Sequence, residues 1–229
     1  MPDVLHLTLP EGRVPVRVSR KARTRISLRI ANGEVKLAAP PGVPLAELQR
    51  ILELRRDWIA QHWRAVPIVS EALPERVSLF GQALRPAPHE GKRRSVRRDG
   101  DMLWLAGAIE PAEQRALLAQ WLAREAALYL PARTAALARH TGLIPREVKL
   151  ANARGRWGSC TSAGVVRLNW RLVQAPVAIS DYVIVHELAH LQHMNHSAAF
   201  WALVGRHCPE WQARRDWLKQ HSAELFEIG

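Results

Sequence analysis

The chain has 229 residues and a mass of 25.8 kDa, enough for one large domain or two small ones, each with a core of its own. Hydrophobic residues make up 48% and charged residues 24%, ordinary globular usage that excludes a chain disordered throughout. Thirty-three Lys and Arg against 21 Asp and Glu give a net charge of +12. Residues 1–100 carry +9 of that excess and residues 101–229 only +3. Such a field attracts nucleic acid, an anionic surface or an acidic protein, and by itself it also serves plain solubility. No apolar run reaches the roughly 18 residues of a membrane helix, and the start, MPDVLHLTLPEGR, lacks the basic-then-apolar order of a secretory signal. The expectation is a soluble, cytoplasmic protein with no membrane partner. Two cysteines, Cys160 and Cys208, make no disulfide framework and read as free thiols.

From residue 4 to 39 apolar residues alternate, as in Val14, Val16, Val18 and then Ile26, Leu28, Ile30, with Val35 and Leu37 after a turn at Asn32-Gly33. The pattern predicts a small antiparallel sheet. Period two places Arg13, Arg17, Arg25 and Arg29 on the face opposite the apolar one. After Pro40, Pro41 and Pro44, the residues Leu45, Leu48, Ile51, Leu52 and Ile59 recur at helical spacing to about Trp63, one helix to cover that sheet. Residues 65–100 mix prolines and glycines with short apolar runs and read as turns and hairpins. Lys92, Arg93, Arg94, Arg97 and Arg98 cluster there. Solvated hairpin charge is the commoner explanation of such a cluster and phosphate contact the alternative.

Residues 102–106, MLWLA, predict a last strand before an Ala/Leu-rich helix from Pro111 to about His140, which Pro131 should kink or divide. No internal repeat is visible. Glu147–Ala151 and Val165–Trp170 alternate like strands, with Gly155, Gly158 and Gly164 between them, and Ser180 reads as the N-cap of a following helix.

That helix carries the chemistry, HELAHLQHMNH at 186–196. His186 and His190 stand four apart, so on a helix their imidazoles converge on one ion, and Glu187 projects beside them. Two imidazoles suit Zn2+, and a carboxylate that is not a ligand can take a proton from the metal-activated water as it attacks a carbonyl. Ile184, Leu188 and Leu191 fall on the opposite face and would anchor the helix in a core. A catalytic zinc needs a third protein ligand, and three residues compete. His193 shares the helical face but lies about 10 Å along the axis from His186. His196, ten residues from His186, has the spacing of long metzincin motifs, although His193 stands where those motifs have Gly, so the turn must come later or use Asn195. Glu210 is the nearest following carboxylate. Geometry favours His196.

The strings RGRWGSC, VVRLNWRL, DYVIVHELAHLQHMNHSAAFW, CPEW and WLK between residues 150 and 218 resemble the YgjP-like metallopeptidase family, itself related to SprT-like and WLM-type zinc proteases. The alternation and charge above give a basic β-rich region over 1–105, with a small antiparallel sheet and its helix, and the resemblance implies that 106–229 is a minimal zincin-like metallopeptidase domain whose HExxH helix lies under a small sheet, an α+β architecture as a whole. It carries the metal ligands onto His186, His190 and His196 and the general base onto Glu187. The implied activity is zinc-dependent hydrolysis of peptide bonds, and the relatives' action on DNA-associated proteins makes DNA a possible partner of the basic face. Arg154 and Arg156, in a glycine-bounded loop, are candidates to bind a substrate carboxylate or an oxyanion, or simply to brace the turn. Asn169 and Arg171 alternate on a strand that could accept an extended peptide, though sheet polarity explains them more readily. Cys160 has no partner at ligand spacing, and Phe200, Trp201, Trp211 and Trp217 read as core packing. The rival outside enzymes is a nucleic-acid-binding module with a structural or vestigial zinc.

Overall fold

The computed structural model describes residues 4–10, 12–31, 34–63 and 72–228; the expected turn at Asn32-Gly33, like the stretch 64–71, lies outside them. The chain divides into two compact units, residues 1–70 and 71–229. Both mix sheet and helix, as expected, but the division falls at 70/71 rather than at 105. The physical reason is burial: Val77, Leu79, Leu84, Leu103 and Leu105 share one core with the helices and strands that follow them.

In the first unit, β1 (Val4–Leu9), β2 (Gly12–Ser19), β3 (Ser27–Ala31) and β4 (Glu34–Ala38) form a sheet in the order β1-β2-β4-β3. Alternation does what it should, burying Leu7, Leu9, Val14, Val16, Val18, Val35 and Leu37 on one face. The sheet is mixed rather than wholly antiparallel, because the two hairpins meet through β2 and β4, which run parallel. Two helices cover it where one was expected, α1 (Leu45–Leu54) and α2 (Arg56–His62). They part where the Arg55 amide is shared between the Ile51 and Leu52 carbonyls, 3.1 Å from each, a tightening common at helix ends. Leu48, Leu52 and Ile59 close the core beneath them.

The second unit opens with the same arrangement. Its strands β5 (Val77–Leu79), β6 (Gln82–His89), β7 (Ser95–Asp99) and β8 (Met102–Ala106) pair in the order β5-β6-β8-β7, again with the middle pair parallel. Leu9 opposite Gly12 recurs 70 residues on as Leu79 opposite Gln82, and Ser27 opposite Ala38 recurs 68 residues on as Ser95 opposite Ala106. The fold therefore contains a repeat where none was expected. Register and alternation are kept between the copies but few residues are, Leu9/Leu79, Ser27/Ser95 and Ala38/Ala106 among them, which is why the sequence conceals it. Within the second copy the basic cluster is a solvated hairpin: Arg94 pairs with Glu113, Arg97 with Asp99, and Arg98 donates to Gln82.

Helix α3 runs unbroken over 31 residues, Pro111–Thr141, with Pro131 inside it. Leu118, Leu122, Ala126, Leu130, Thr134 and Ala138, each four residues on from the last, are all buried. This continuous buried stripe holds the helix through the one hydrogen bond the proline removes. Gly142 ends it in the left-handed conformation, φ 73°, the region only glycine enters cheaply. A three-stranded sheet follows in the order β10-β11-β9, built from β9 (Glu147–Ala151), β10 (Gly158–Cys160) and β11 (Val165–Asn169). A 3-10 turn, Trp170–Gln174, then leads into α4 (Val177–Ala189), α5 (Ala198–His207) and α6 (Trp211–Leu225).

Helix α4 begins after Pro176, four residues earlier than a cap at Ser180 would place it. Ser180 is fully buried inside the helix, and its hydroxyl donates back to the Leu172 and Pro176 carbonyls at 3.3 and 3.4 Å. The helix is apolar nearly all round, with Ile179, Tyr182, Val183, Ile184, Val185, Leu188 and Ala189 buried, the signature of a central helix. Arg133 of α3 grips it through both oxygens of Asp181, at 2.7 and 2.6 Å. No helix among the described residues is long and apolar enough to cross a membrane.

Burial along α3 separates two leucines by consequence. Leu122 is 0% exposed and Leu128 74%; Leu122→Ala should cost about 2–5 kcal/mol, the cavity-forming range, and Leu128→Ala less than about 0.5. Chemical denaturation of both variants checks it, and equal costs would mean that the stripe does not carry the helix.

Candidate metal centre

His186 and Glu187 sit in the last turn of α4, and His190 is the residue that ends it. The chain then reverses by short turns, Leu191 N to Leu188 O and Gln192 N to Ala189 O, and brings His196 back before α5 starts at Ala198. No residue from 190 to 197 has a positive φ. The glycine of the metzincin pattern is thus dispensable here, because the helix stops before His190 and the turn comes earlier than the sequence suggested, not later.

Ligand atoms of His186, His190 and His196 all lie within 4.8 Å of one another, the one such cluster among the described residues. The Nε2 atoms of His186 and His196 are 3.2 Å apart. His190 Nδ1 donates to the His193 carbonyl at 2.9 Å, which leaves its Nε2 lone pair for a ligand. His193 therefore serves through its backbone, while Glu210 lies outside the cluster at the N-cap of α6, paired with Arg214 at 2.9 Å. His186 is pushed down to about 4 by burial and by His190 and His196, and His196 is lowered by burial and His190. Neutral rings are what a dication needs. The buried Nδ1 of His186 finds no hydrogen-bond partner among the described residues. Three convergent imidazoles with no thiolate among them fit a divalent metal.

The aromatic residues read as core packing do more than fill space. Phe200 stacks on His190 with ring centroids 4.6 Å apart, Trp201 lies over His196 at 5.6 Å, and Trp211 stacks on Trp201 at 4.1 Å. They fix the planes of two imidazoles. The signal was present in the sequence, an aromatic pair four and five residues after the third histidine, but only the fold gives it meaning.

Glu187 is 6% exposed and pushed up to about 8 by burial, an effect that the positive charge of Arg156 opposes. Strand β10 passes directly over it. A Cβ at position 158 would stand 2.5 Å from Glu187 Oε1, so only glycine lets the strand and the carboxylate approach this closely. Gly158 is a site residue that motif spacing alone could not find. Arg154 and Arg156 are exposed on the loop before β10; Arg156 lines a shallow cleft with Trp157, Ser159 and Cys160.

Asn169 holds that loop. Its Nδ2 donates to the Ala153 and Arg156 carbonyls at 2.7 and 3.1 Å, and its Oδ1 accepts from Arg171 N at 3.1 Å. The strand that ends in Asn169 is the central one, so it is not an edge for a peptide; the edge beside the histidines is β10. Arg171, in the 3-10 turn, is fully buried, lies 4.3 Å from the Trp170 ring centroid and donates to Asn152 and to the Ile228 carbonyl. Burial pulls it down to about 10. Cys160 lies on β10 outside the histidine cluster and is raised by burial.

The raised carboxyl has a stability consequence in the metal-free protein. Folded Glu187 holds its proton up to about pH 8, whereas the unfolded chain releases it near 4.5, so its stabilising contribution is full below 4.5 and lost as pH rises through 8. Over that window the cost grows by up to about 1.4 kcal/mol per pH unit. Glu187→Gln should raise the melting temperature of metal-free protein, more at pH 8 than at pH 5. A gap that is flat with pH would mean that Glu187 is ionised in the fold.

Among known proteins, the YgjP-like metallopeptidase domain matches residues 24–221. No curated protein matches the chain, nor does any solved structure. The family match covers most of the chain and includes every residue of the histidine cluster, its carboxylate and the strand above them. The chain belongs to the YgjP-like metallopeptidase family.

Proposed function

We propose that the chain is a zinc-dependent peptidase in which His186, His190 and His196 hold the metal and Glu187 is the general base. A three-imidazole donor set suits zinc in a catalytic rather than a closed structural site. When bound, the metal supplies Lewis-acid chemistry to the scissile carbonyl and to water. Glu187 takes the proton from the water as its oxygen joins the carbonyl carbon, then delivers it to the amine nitrogen as the C–N bond breaks, leaving a carboxylate and an amine. The observation that carries the reading is the buried Glu187 carboxyl set beside the converging imidazoles and beneath Gly158. Arg156 supplies positive charge near that carboxyl, which favours the ionised form a base requires. With Arg154 on the same loop it is positioned to contact substrate.

Peptide is the substrate class the strand geometry favours. Strand β10 pairs with β11 on one side only, and its other edge can hydrogen-bond an extended chain laid along it. Glu187→Gln should keep the metal and lose peptide hydrolysis by a factor of about 1,000 or more. His196→Ala should weaken metal retention instead. Elemental analysis and a peptide-cleavage assay on both variants test the scheme, which fails if Glu187→Gln remains active or if His196→Ala keeps full metal after dialysis against a chelator.

A second reading concerns the first unit. Arg17 stands opposite Lys36 across β2 and β4, and Lys36 opposite Arg29 across β4 and β3, so three cations form one row across the sheet, with Glu34 pairing two of them. The row supports contact with a nucleic-acid backbone, and so with DNA-associated protein substrates. Replacing the three with Gln should weaken binding of an oligonucleotide about tenfold or more at low salt and flatten its salt dependence. Fluorescence anisotropy measures both, and unchanged affinity rejects this reading. DNA binding without any peptide cleavage would instead favour a binding module with a structural metal.

A further inference from the structure

Beside the histidine cluster lies a cleft of about 310 Å³ lined by Trp157 and Gly158, by Tyr182, Val183, His186 and Glu187 of α4, and by Arg215, Leu218, Lys219 and Ser222 of α6. Helical spacing explains how two helices line one cleft. Tyr182 and His186, like Val183 and Glu187, are four apart, and Arg215, Lys219 and Ser222 follow one another at four and three on α6. Helix α4 brings the proposed metal ligand and base to the cleft. Helix α6 brings two cations.

The charge there is one-sided. Apart from Glu187, no carboxylate lines the cleft. Lys219 has no ion-pair partner among the described residues, and Arg215 meets Asp216 only through Nε, at 3.5 Å, with both side chains about half exposed. Its guanidinium sits 5.2 Å from the centroid of Trp211 and close enough to Tyr182 to pull that phenol down against the burial that raises it to about 12. Trp157, Val183, Leu218 and the Tyr182 ring wall the cleft with apolar surface, so a carboxylate entering it meets two cations where water is partly displaced, the setting in which charge-assisted hydrogen bonds gain strength.

We infer that this cleft selects substrates by a carboxylate on a residue flanking the scissile bond, held by Arg215 and Lys219. The inference rests on the peptidase reading above. A chain added to β10 turns successive side chains to opposite faces, so of two neighbouring residues one directs its side chain towards α4 and the cleft while the other points away. The carboxylate has two possible sources, an Asp or Glu side chain within the substrate or the substrate's own C-terminus.

Binding of fluorescent peptides to full-length Glu187→Gln protein tests it without turnover. The probes share one sequence with Glu, Gln or Lys at each position in turn, and each is made with an amidated or a free C-terminus. One Glu peptide, or the free-acid form, should bind about ten- to a hundredfold tighter than its Gln or amide counterpart, the scale of one charge-assisted contact. Which arm shows the gap names the source. Adding Arg215→Gln and Lys219→Gln, both on exposed helical surface, should abolish the preference, and Arg215→Glu with Lys219→Glu should turn it towards Lys. Equal binding of all probes, no binding of any, or a preference that survives these substitutions overturns the inference. If the preferred probe binds but wild-type protein loaded with zinc does not cut it, the peptidase reading fails and the anion-binding cleft stands.

Discussion

Bringing three imidazole nitrogens within 4.8 Å of one another sets charge on one ring against charge on the next, and much of the second unit is arranged around that constraint. Burial and mutual proximity hold His186 near 4. The His193 carbonyl accepts a hydrogen bond from His190 Nδ1 and so fixes the plane of that ring. Aromatic faces from Phe200 and Trp201 supply a surround that neither hydrates nor ionises the rings. The same dry setting raises Glu187 to about 8. The lowered His186 and the raised Glu187 are thus two results of a single leading cause, removal of water from the end of α4.

That cause depends on where α4 is held. A helix buried on nearly all sides has little freedom to slide, and its polar fastenings remove the remainder: Arg133 on Asp181, Ser180 folded back on the preceding turn, and the 3-10 turn fixed from inside by Arg171. Each buried Leu, Ile or Val contributes about 1.5–3 kcal/mol, enough together to hold a group as unfavourable as a buried, protonated Glu187. The close approach is local. Strand β10 comes near the Glu187 carboxyl because residue 158 has no side chain, and the loop before it keeps its course because Asn169 spends its whole amide on three backbone groups.

The duplicated four-stranded arrangement puts two similar sheets to different uses. In the second copy the following helix, α3, is long and joins the core that supports α4. In the first copy the helices are short and close a small separate core, and the outward face keeps its row of cations. One topology therefore serves in one place as a foundation for the metal centre and in the other as a self-contained charged module.

The sequence by itself determined what depends on local spacing. His186, Glu187 and His190 could be read because four residues make one helical turn, the strands because side chains alternate, and the strong candidacy of His196 because its distance from His186 suits a chain reversal. The tertiary structure alone decided the rest. It left the His193 side chain outside the histidine cluster and used its carbonyl, placed Ser180 inside a helix and not at its start, kept α3 whole through Pro131, and put β10 at the edge of its sheet and the strand bearing Asn169 at the centre. It also set Gly158 under no pattern but against Glu187, and revealed a repeat that shares register and only a few residues. In each case the deciding contact joins residues far apart in the chain or weighs burial against local preference, and neither is written in the spacing of one segment.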